Sequence, residues 1–427
     1  MIIILILYIE KITLSMYILY MVKNLYRICI LCGILLLSCV SVPRTPLKKG
    51  TETADMSQST GNIRFKEPPK QEPLRLCFAG DIMAHNVNFR MKDYSLIYRD
   101  ISPFLAGFDL AFANLETPIC NELPYQTFPN FNIHAEYAQA AIDAGFNVFS
   151  LANNHTNDQG KAGIRGSADF FDTARSQGVY SAGLKKPGSD DLTYELIEVQ
   201  GWKILFAAIT EIVNSNSHGD LFDFYPFTSK GKLKLKNELI RLQRENPCDV
   251  FILSIHSADP EYVLEVTKER REYFYSLLDL GVDIIWANHS HVTKPWERVS
   301  CKQTEENESR KTDKLIMYGM GNTISGQNIP LNFENPAHPY EYTGTSILLQ
   351  VDLKLQNPAE GDSEERPLLK IADIQPKIIV THVDKGYNFV IRCLNEELIA
   401  QQDKRLAAYY KKRLELMQNI REITTCR

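Results

Sequence analysis

Positive charge is in short supply in this chain. Its 427 residues carry 47 Lys+Arg against 52 Asp+Glu, a formal charge of −5. No basic block and no interleaving of basic and aromatic residues breaks that pattern. Nucleic-acid binding needs a basic field to displace phosphate counterions, so no nucleic-acid partner is expected. Apolar runs of membrane-spanning length are missing beyond the first forty residues, which excludes a multi-span membrane protein. Cysteine occurs nine times; Cys29 and Cys32 fall in the apolar N-terminal run, and the six beyond Cys39 are widely scattered with no CxxC, so a thiolate metal site is not expected. Cys77 and Cys248 lie in or beside apolar strand-like runs and read as small buried hydrophobes. Internal repeats and low-complexity tracts are absent as well. What remains, with 44% hydrophobic and 23% charged residues, is the composition of a globular chain of one large or two ordinary domains.

The first forty residues differ from the rest. Apolar runs at 1–9 and 28–37 flank a stretch holding Lys11, Lys23 and Arg27. Read from Met21, a short basic region precedes an apolar core of about ten residues, shorter than the ~20 of a membrane span and typical of a secretory signal. It ends Leu36-Leu37-Ser38-Cys39, which resembles a bacterial lipobox whose Cys39 is lipidated and becomes the mature N-terminus. Acylation there anchors the protein on the outer side of a membrane; the alternative is a membrane anchor spanning 1–37. Residues 1–39 are thus the leader. Residues 40–72, rich in Pro, Lys, Thr, Ser and Glu, are a flexible tether.

From residue 74 apolar β runs alternate with amphipathic stretches. Strands are predicted at 74–79, 110–113, 148–152, 196–199, 203–209, 250–255 and 282–287. Helices are predicted at 135–144, 163–177, 230–244 and 261–280. Continuously apolar strands separated by helices are buried on both faces, which predicts an α/β sandwich. Beyond Lys314 the pattern turns to strands, at 315–318, 345–353, 371–383 and 387–393, and a charged helix at 396–420. The polar segment 301–313 reads as a surface loop. The expected organisation is a domain over 73–356, completed by C-terminal strands and a helix over 357–427.

Polar residues gather where the apolar strands end. Five tips carry metal-binding side chains: Asp81; Glu116 after Asn114; Asn153-Asn154-His155 with Asp158; His256; and His289-Ser290-His291. In open α/β sheets ligands collect outside the carboxyl ends of the strands, so five such tips can share one site. Carboxylates, a carboxamide and imidazoles form a mixed O/N shell suited to Mn, Fe or Zn. A shared carboxylate with separate flanking ligands would hold two cations ~3.5–4 Å apart. His289 and His291 would share one face on a continuing strand, but on a loop they can diverge toward two ions. A histidine just past a carboxamide ligand, as His155 is, stands where it can protonate a leaving group.

"FAGDIM" around Asp81, "NLETPI" at 114–119, "LANNHTNDQG" at 151–160, "NHSHV" at 288–292 and "YGMGN" at 318–322 resemble the CapA family of poly-γ-glutamate capsule biosynthesis proteins, relatives of the calcineurin-like metallophosphatases. The resemblance spans about residues 74–355. It implies a four-layer α/β/β/α sandwich around a dimetal-type site. Carried over by position, it implies Asp81, Glu116, Asn154, His256, His289 and His291 as ligands, with Glu116 as the bridge, and His155 as the catalytic acid. Asn114, Asp158, Glu261 and Asn322 are the positions expected to touch substrate.

The chain also departs from the family. Ser257-Ala258 stands where a Trp-Gly pair is common, although Glu261-Tyr262 keeps the acidic–aromatic pair. Ala287-Asn288-His289-Ser290-His291 replaces Gly-His-His-Pro-His, and Thr323 replaces an aromatic. Met83 occupies the second position of the Asp-x-His pair of phosphatases proper. One of the two metal positions is therefore expected to be weak, with His85 as a substitute ligand or a solvated loop residue. The function expected is an envelope-anchored, metal-dependent hydrolase in capsule polymer metabolism, acting on an anionic polymer or phosphoester alongside capsule synthesis or export machinery. The rival expectation is a non-catalytic accessory that binds an anionic polymer through the same pocket.

Overall fold

Strands buried on both faces need apolar cover on each side, and this chain supplies it by building two sheets and lining each with helices. The computed structural model describes residues 73–186, 188–302, 311–356 and 368–427. The leader with Cys39 and the tether lie outside them. Among the described residues no helix is long and apolar enough to cross a membrane. The first sheet starts with β1 (Leu74–Ile82), β2 (Leu110–Leu115), β3 (Val148–Ser150) and β4 (Tyr180–Ala182). The second takes β5 (Tyr194–Val199), β6 (Trp202–Thr210), β7 (Val250–His256), β8 (Ile284–Asn288), β9 (Trp296–Lys302) and β10 (Lys311–Met317). The chain returns to the first sheet with β11 (Asn322–Ile324), β12 (Thr345–Gln356), β13 (Leu368–Val383) and β14 (Phe389–Cys393). It finishes in the second with β15 (Glu422–Cys426).

Sheet order is β14-β13-β12-β1-β2-β3-β4, with β11 paired to β1, and β15-β9-β10-β8-β7-β6-β5. Strands β1 to β4 run parallel, as do β6, β7, β8 and β10. The period-2 alternation of strand side chains separates the layers. In β1, Leu74, Leu76 and Phe78 face the second sheet, where they join Ile204, Phe206, Ile252, Ile284 and Trp286. Cys77 and Ala79 face the other way, with Ala138 and Ala141 of helix Ala135–Asp143 and Phe171 of helix Gly160–Ala174. The outer face of the second sheet packs Phe251, Leu253 and Ile255 on Leu235, Leu239 and Leu242 of helix Ser229–Glu245 and on Phe274 and Leu277 of helix Lys268–Leu278. These are the four layers, α/β/β/α. Phe112 stacks on Phe78 (ring centroids 4.5 Å apart) and meets Trp286 edge-on at 5.8 Å. Trp286 also donates Nε1–H to Ala79 O of the other sheet at 2.9 Å.

Three predicted elements are corrected. The helix expected from residue 261 begins at Lys268, capped by the Thr267 side chain, which accepts from Arg270 N at 3.1 Å; residues 261–267 form a loop at the site instead. The helix expected over 396–420 breaks into Glu396–Ala400 and Lys404–Gln418, the second capped by Asp403, and β15 follows beyond it. The segment read as a loop at 301–313 contains the ends of β9 and β10, paired antiparallel out to Lys302 and Lys311. A backbone ladder needs no apolar side chains, so composition concealed it.

Candidate metal centre

Where β1 ends, Gly80 lets the chain pass directly under another segment. A Cβ on Gly80 would lie 1.8 Å from Gly321 O, and Gly321 itself has φ +70°. These two glycines bring β11 and Asn322 beside Asp81, whose N–H donates to Gly321 O at 2.9 Å. Asp81 is fully buried. Its Oδ1 accepts from Asn114 Nδ2 at 2.8 Å and its Oδ2 lies 3.2 Å from His291 Nδ1.

Glu116 stands at the centre. It leaves β2 at zero exposure, and among the described residues neither carboxylate oxygen has a hydrogen-bond partner. Oε1 lies 3.6 Å from His256 Nε2 and 3.8 Å from His291 Nε2. Burial, then the adjacent Asp81 charge, holds its carboxyl well above the usual range. An unpartnered buried carboxylate is costly unless a cation answers it. Around it His256 Nε2 meets Asn154 Oδ1 at 2.8 Å and His289 Nδ1 at 3.1 Å. Burial and neighbouring imidazoles hold His256 well below its ordinary value and His289 down at about 3, so both rings are neutral and carry lone pairs. Carboxylate and carboxamide oxygens and imidazole nitrogens converging on one point are a donor set that fits a divalent cation. Ligand atoms of Asp81, Glu116 and His256 lie within 4.8 Å of one another, as do those of Glu116, His289 and His291. Glu116 is common to both groups.

His289 and His291 follow the last residue of β8 in left-handed backbone, at φ +95° and +55°. Such conformations in non-glycine residues cost about 1–3 kcal/mol each and concentrate at functional sites. Here they turn the two rings apart, 5.9 Å between centroids. His289 faces His256 and His291 faces Asp81 and Asn322, which is the loop geometry of the two that the sequence left open.

The remaining predicted residues divide. His155, buried beside Asn154, donates Nδ1–H to Asp158 Oδ2 at 2.7 Å, and the same oxygen accepts from Phe131 N at 2.7 Å. Asp158 thus fixes the His155 tautomer and leaves Nε2 for an incoming group. Asn114 and Asn322, expected to touch substrate, place their amides against candidate ligand side chains. Asn114 holds Asp81, while Asn322 sets Oδ1 3.0 Å from His291 Nδ1 and donates Nδ2 to Gln327, Ser325 and Thr343. Both asparagines are buried. Glu261 is exposed at the rim. His85 accepts from Gly326 N at 3.2 Å and packs edge-on against Phe131; it belongs to neither candidate metal group.

Sequence reasoning missed two features. Asn214, in the loop after β6, accepts from Asn154 Nδ2 at 3.2 Å and sets its own amide 3.2 Å from His155 Nδ1. The signal was available, because β6 is parallel to β7 and its carboxyl end opens on the same edge. Behind the histidine loops lies a buried ion network. Arg270 reaches Glu211 and Asp259, each at 2.7 Å, and Asp259 reaches Lys294 at 3.0 Å. Its members are scattered over the sequence, and no spacing announces it.

The fold is a four-layer α/β/β/α sandwich whose parallel strand tips gather two carboxylates, a carboxamide and three imidazoles. The sequence profile of the family described as "Bacterial capsule synthesis protein PGA_cap" matches residues 75–327, and the chain belongs to that family. It is similar to the capsule biosynthesis protein CapA of Bacillus anthracis, 26% identical over 319 residues, covering 70% of this chain and 71% of that one. It is similar also to the PGA biosynthesis protein CapA of Bacillus subtilis (strain 168), 22% identical over 338 residues, covering 74% and 79%. Among solved structures it resembles a 5'-nucleotidase from Candida albicans SC5314, with TM-score 0.37 and 10% identity, covering 82% of this chain and 59% of that one.

Proposed function

We propose that this protein is a metal-dependent phosphoester hydrolase of the cell envelope, working in capsule polymer metabolism and tethered outside the membrane through Cys39. The observation that carries the reading is Glu116, with both oxygens buried and unpartnered between two groups of O/N ligands, beside the His155–Asp158 pair. Asp81, Glu116, Asn154, His256, His289 and His291 would hold the cation or cations. A divalent ion bound there supplies Lewis-acid polarisation of a phosphoryl oxygen and acidifies water. Asn114 and Asn322 orient the ligand side chains by hydrogen bonds. His155 carries a proton on Nε2 to the leaving oxygen, and Asp158, bound at Nδ1, stabilises the imidazolium that this transfer requires. Asn214 bridges Asn154 and His155, so the acid keeps a fixed distance from the ligand set. The capsule role rests on family membership and on the two CapA relatives.

The test is hydrolysis of an alkyl phosphoester, propyl phosphate, whose alkoxide leaving group requires a proton, by the Mn- or Zn-reconstituted full chain. Wild type should turn over, and His155→Asn should lose ~100- to 10,000-fold in kcat while keeping its metal. Metal retained with no turnover in wild type on any phosphoester would leave the anionic-polymer binder as the better reading.

A further inference from the structure

Tyr262 sits at the rim of the site in a backbone conformation that large side chains avoid. Its φ is +62°, an outlier for a bulky aromatic residue and one that persists only where the surroundings enforce it. Enforcement comes from the histidine loop, since Tyr262 N–H donates to Ser290 O, between His289 and His291, at 2.9 Å. The ring centroid lies 6.1 Å from that of His291. The hydroxyl accepts from Gln327 Nε2 at 3.4 Å, and Gln327 Oε1 accepts from Asn322 Nδ2 at 2.7 Å. Tyr262 is therefore tied to the ligand set by two routes. Its other neighbour is Tyr340, 5.1 Å away at 63° between ring planes and 38% exposed. The two tyrosine rings meet edge to face beside the candidate metal ligands, with Tyr340 partly exposed. Burial, then the adjacent Glu261 carboxylate, pushes the Tyr262 phenol up, so it stays a neutral aromatic surface.

A flat heterocycle is best held between parallel rings, and a 63° corner offers no such slot. A polyglutamate chain presents no ring face, and its carboxylates would meet Glu261. A sugar ring fits: its C–H bonds suit the negative faces of both tyrosines, and its hydroxyls can donate to Glu261. We infer that Tyr262 and Tyr340 form a glycosyl subsite beside the phosphoryl-binding centre, so that the substrate class is a sugar phosphoester. The inference rests on the hydrolase reading for its phosphoryl half only.

The experiment compares kcat/KM for glucose 1-phosphate and N-acetylglucosamine 1-phosphate with that for propyl phosphate, in the metal-loaded full chain. Wild type should favour the hexose phosphates. Tyr262→Leu and, should that variant fail to fold, the surface variant Tyr340→Ala should reduce the preference about tenfold, and Tyr262→Phe should restore it. Equal values for hexose and propyl phosphates in wild type, or a preference untouched by either substitution, overturns the subsite. A second arm needs no turnover: saturation-transfer NMR of the same hexose phosphates on metal-loaded His155→Asn protein. Saturation of the sugar ring protons that Tyr340→Ala abolishes supports the subsite even if hydrolysis fails on every substrate. Ring protons that receive none overturn it.

Discussion

Replacing Asp259 with alanine probes the scaffold on which the histidine loops rest. Asp259 follows His256 by three residues and Lys294 follows His291 by three, so their 3.0 Å contact ties two ligand loops together. The same carboxylate holds Arg270 at 2.7 Å, and the Arg270 and Lys294 side chains are 2% and 1% exposed. Burial alone would raise the Asp259 carboxyl, but Arg270 and Lys294 outweigh it and hold it below the usual range. Removing one partner of a buried pair costs about 3–5 kcal/mol, because the surviving charge is left without its counter-charge. Arg270 keeps Glu211 at 2.7 Å, so most of the cost falls on Lys294. Against a total stability of ~5–15 kcal/mol this is a large fraction, a drop in Tm of about 4–7 °C for a folded region of this size. The double variant Asp259→Ala/Lys294→Met, which removes the stranded ammonium, should recover most of the loss. Urea unfolding and calorimetry of both variants, with metal content measured alongside, make the assay. A single variant within 1 kcal/mol of wild type, or a double variant no better than the single, would refute the reasoning.

Other perturbations give equally direct readings. Burial pushes the Asp223 carboxyl up to about 6, although Thr193 and Lys185 pull it back. The folded state therefore binds this proton more tightly than the unfolded chain does, and the stability it contributes is full below the unfolded value of ~3.9 and lost as pH rises through 6. Asp223→Asn lacks that decline, so its stability relative to wild type should rise by about 2–3 kcal/mol between pH 4 and pH 7; a pH-independent difference contradicts the assignment. Cys39→Ser should abolish acyl labelling and move the protein out of the membrane fraction, and wild-type fractionation of that variant would contradict the lipid anchor.

The strand tips were readable because their chemistry contrasts with what precedes them. Asp81, Glu116, His256 and His289 each end a run of apolar residues, and parallel strands buried on both faces leave nowhere else for a polar group to gather. The helix from residue 261 was misread for a physical reason. Its seven leading residues have a helix-like composition, but Tyr262 is held at φ +62° by its bond to Ser290, a tertiary constraint that no local propensity reveals. Strand β9 went unrecognised because its Glu297 is wholly buried with Tyr275, Tyr318, Arg271 and Thr425 around it. A carboxylate in mid-strand reads as surface until its partners, up to 128 residues away, are brought to it. The same limit hid the contacts of Asn114 and Asn322, whose amides reach Asp81 and His291 from strands far apart in sequence.

Elemental analysis of the purified full chain after Mn or Zn reconstitution and gel filtration tests the central claim most directly. Glu116 lies at the shared position of the two candidate ligand groups, and no group among the described residues hydrogen-bonds its oxygens. Wild type should retain at least one divalent ion per chain, and Glu116→Ala and His289→Ala should each lose it while remaining folded by circular dichroism. Wild-type protein that emerges without metal, or Glu116→Ala protein that holds as much as wild type, would contradict the account.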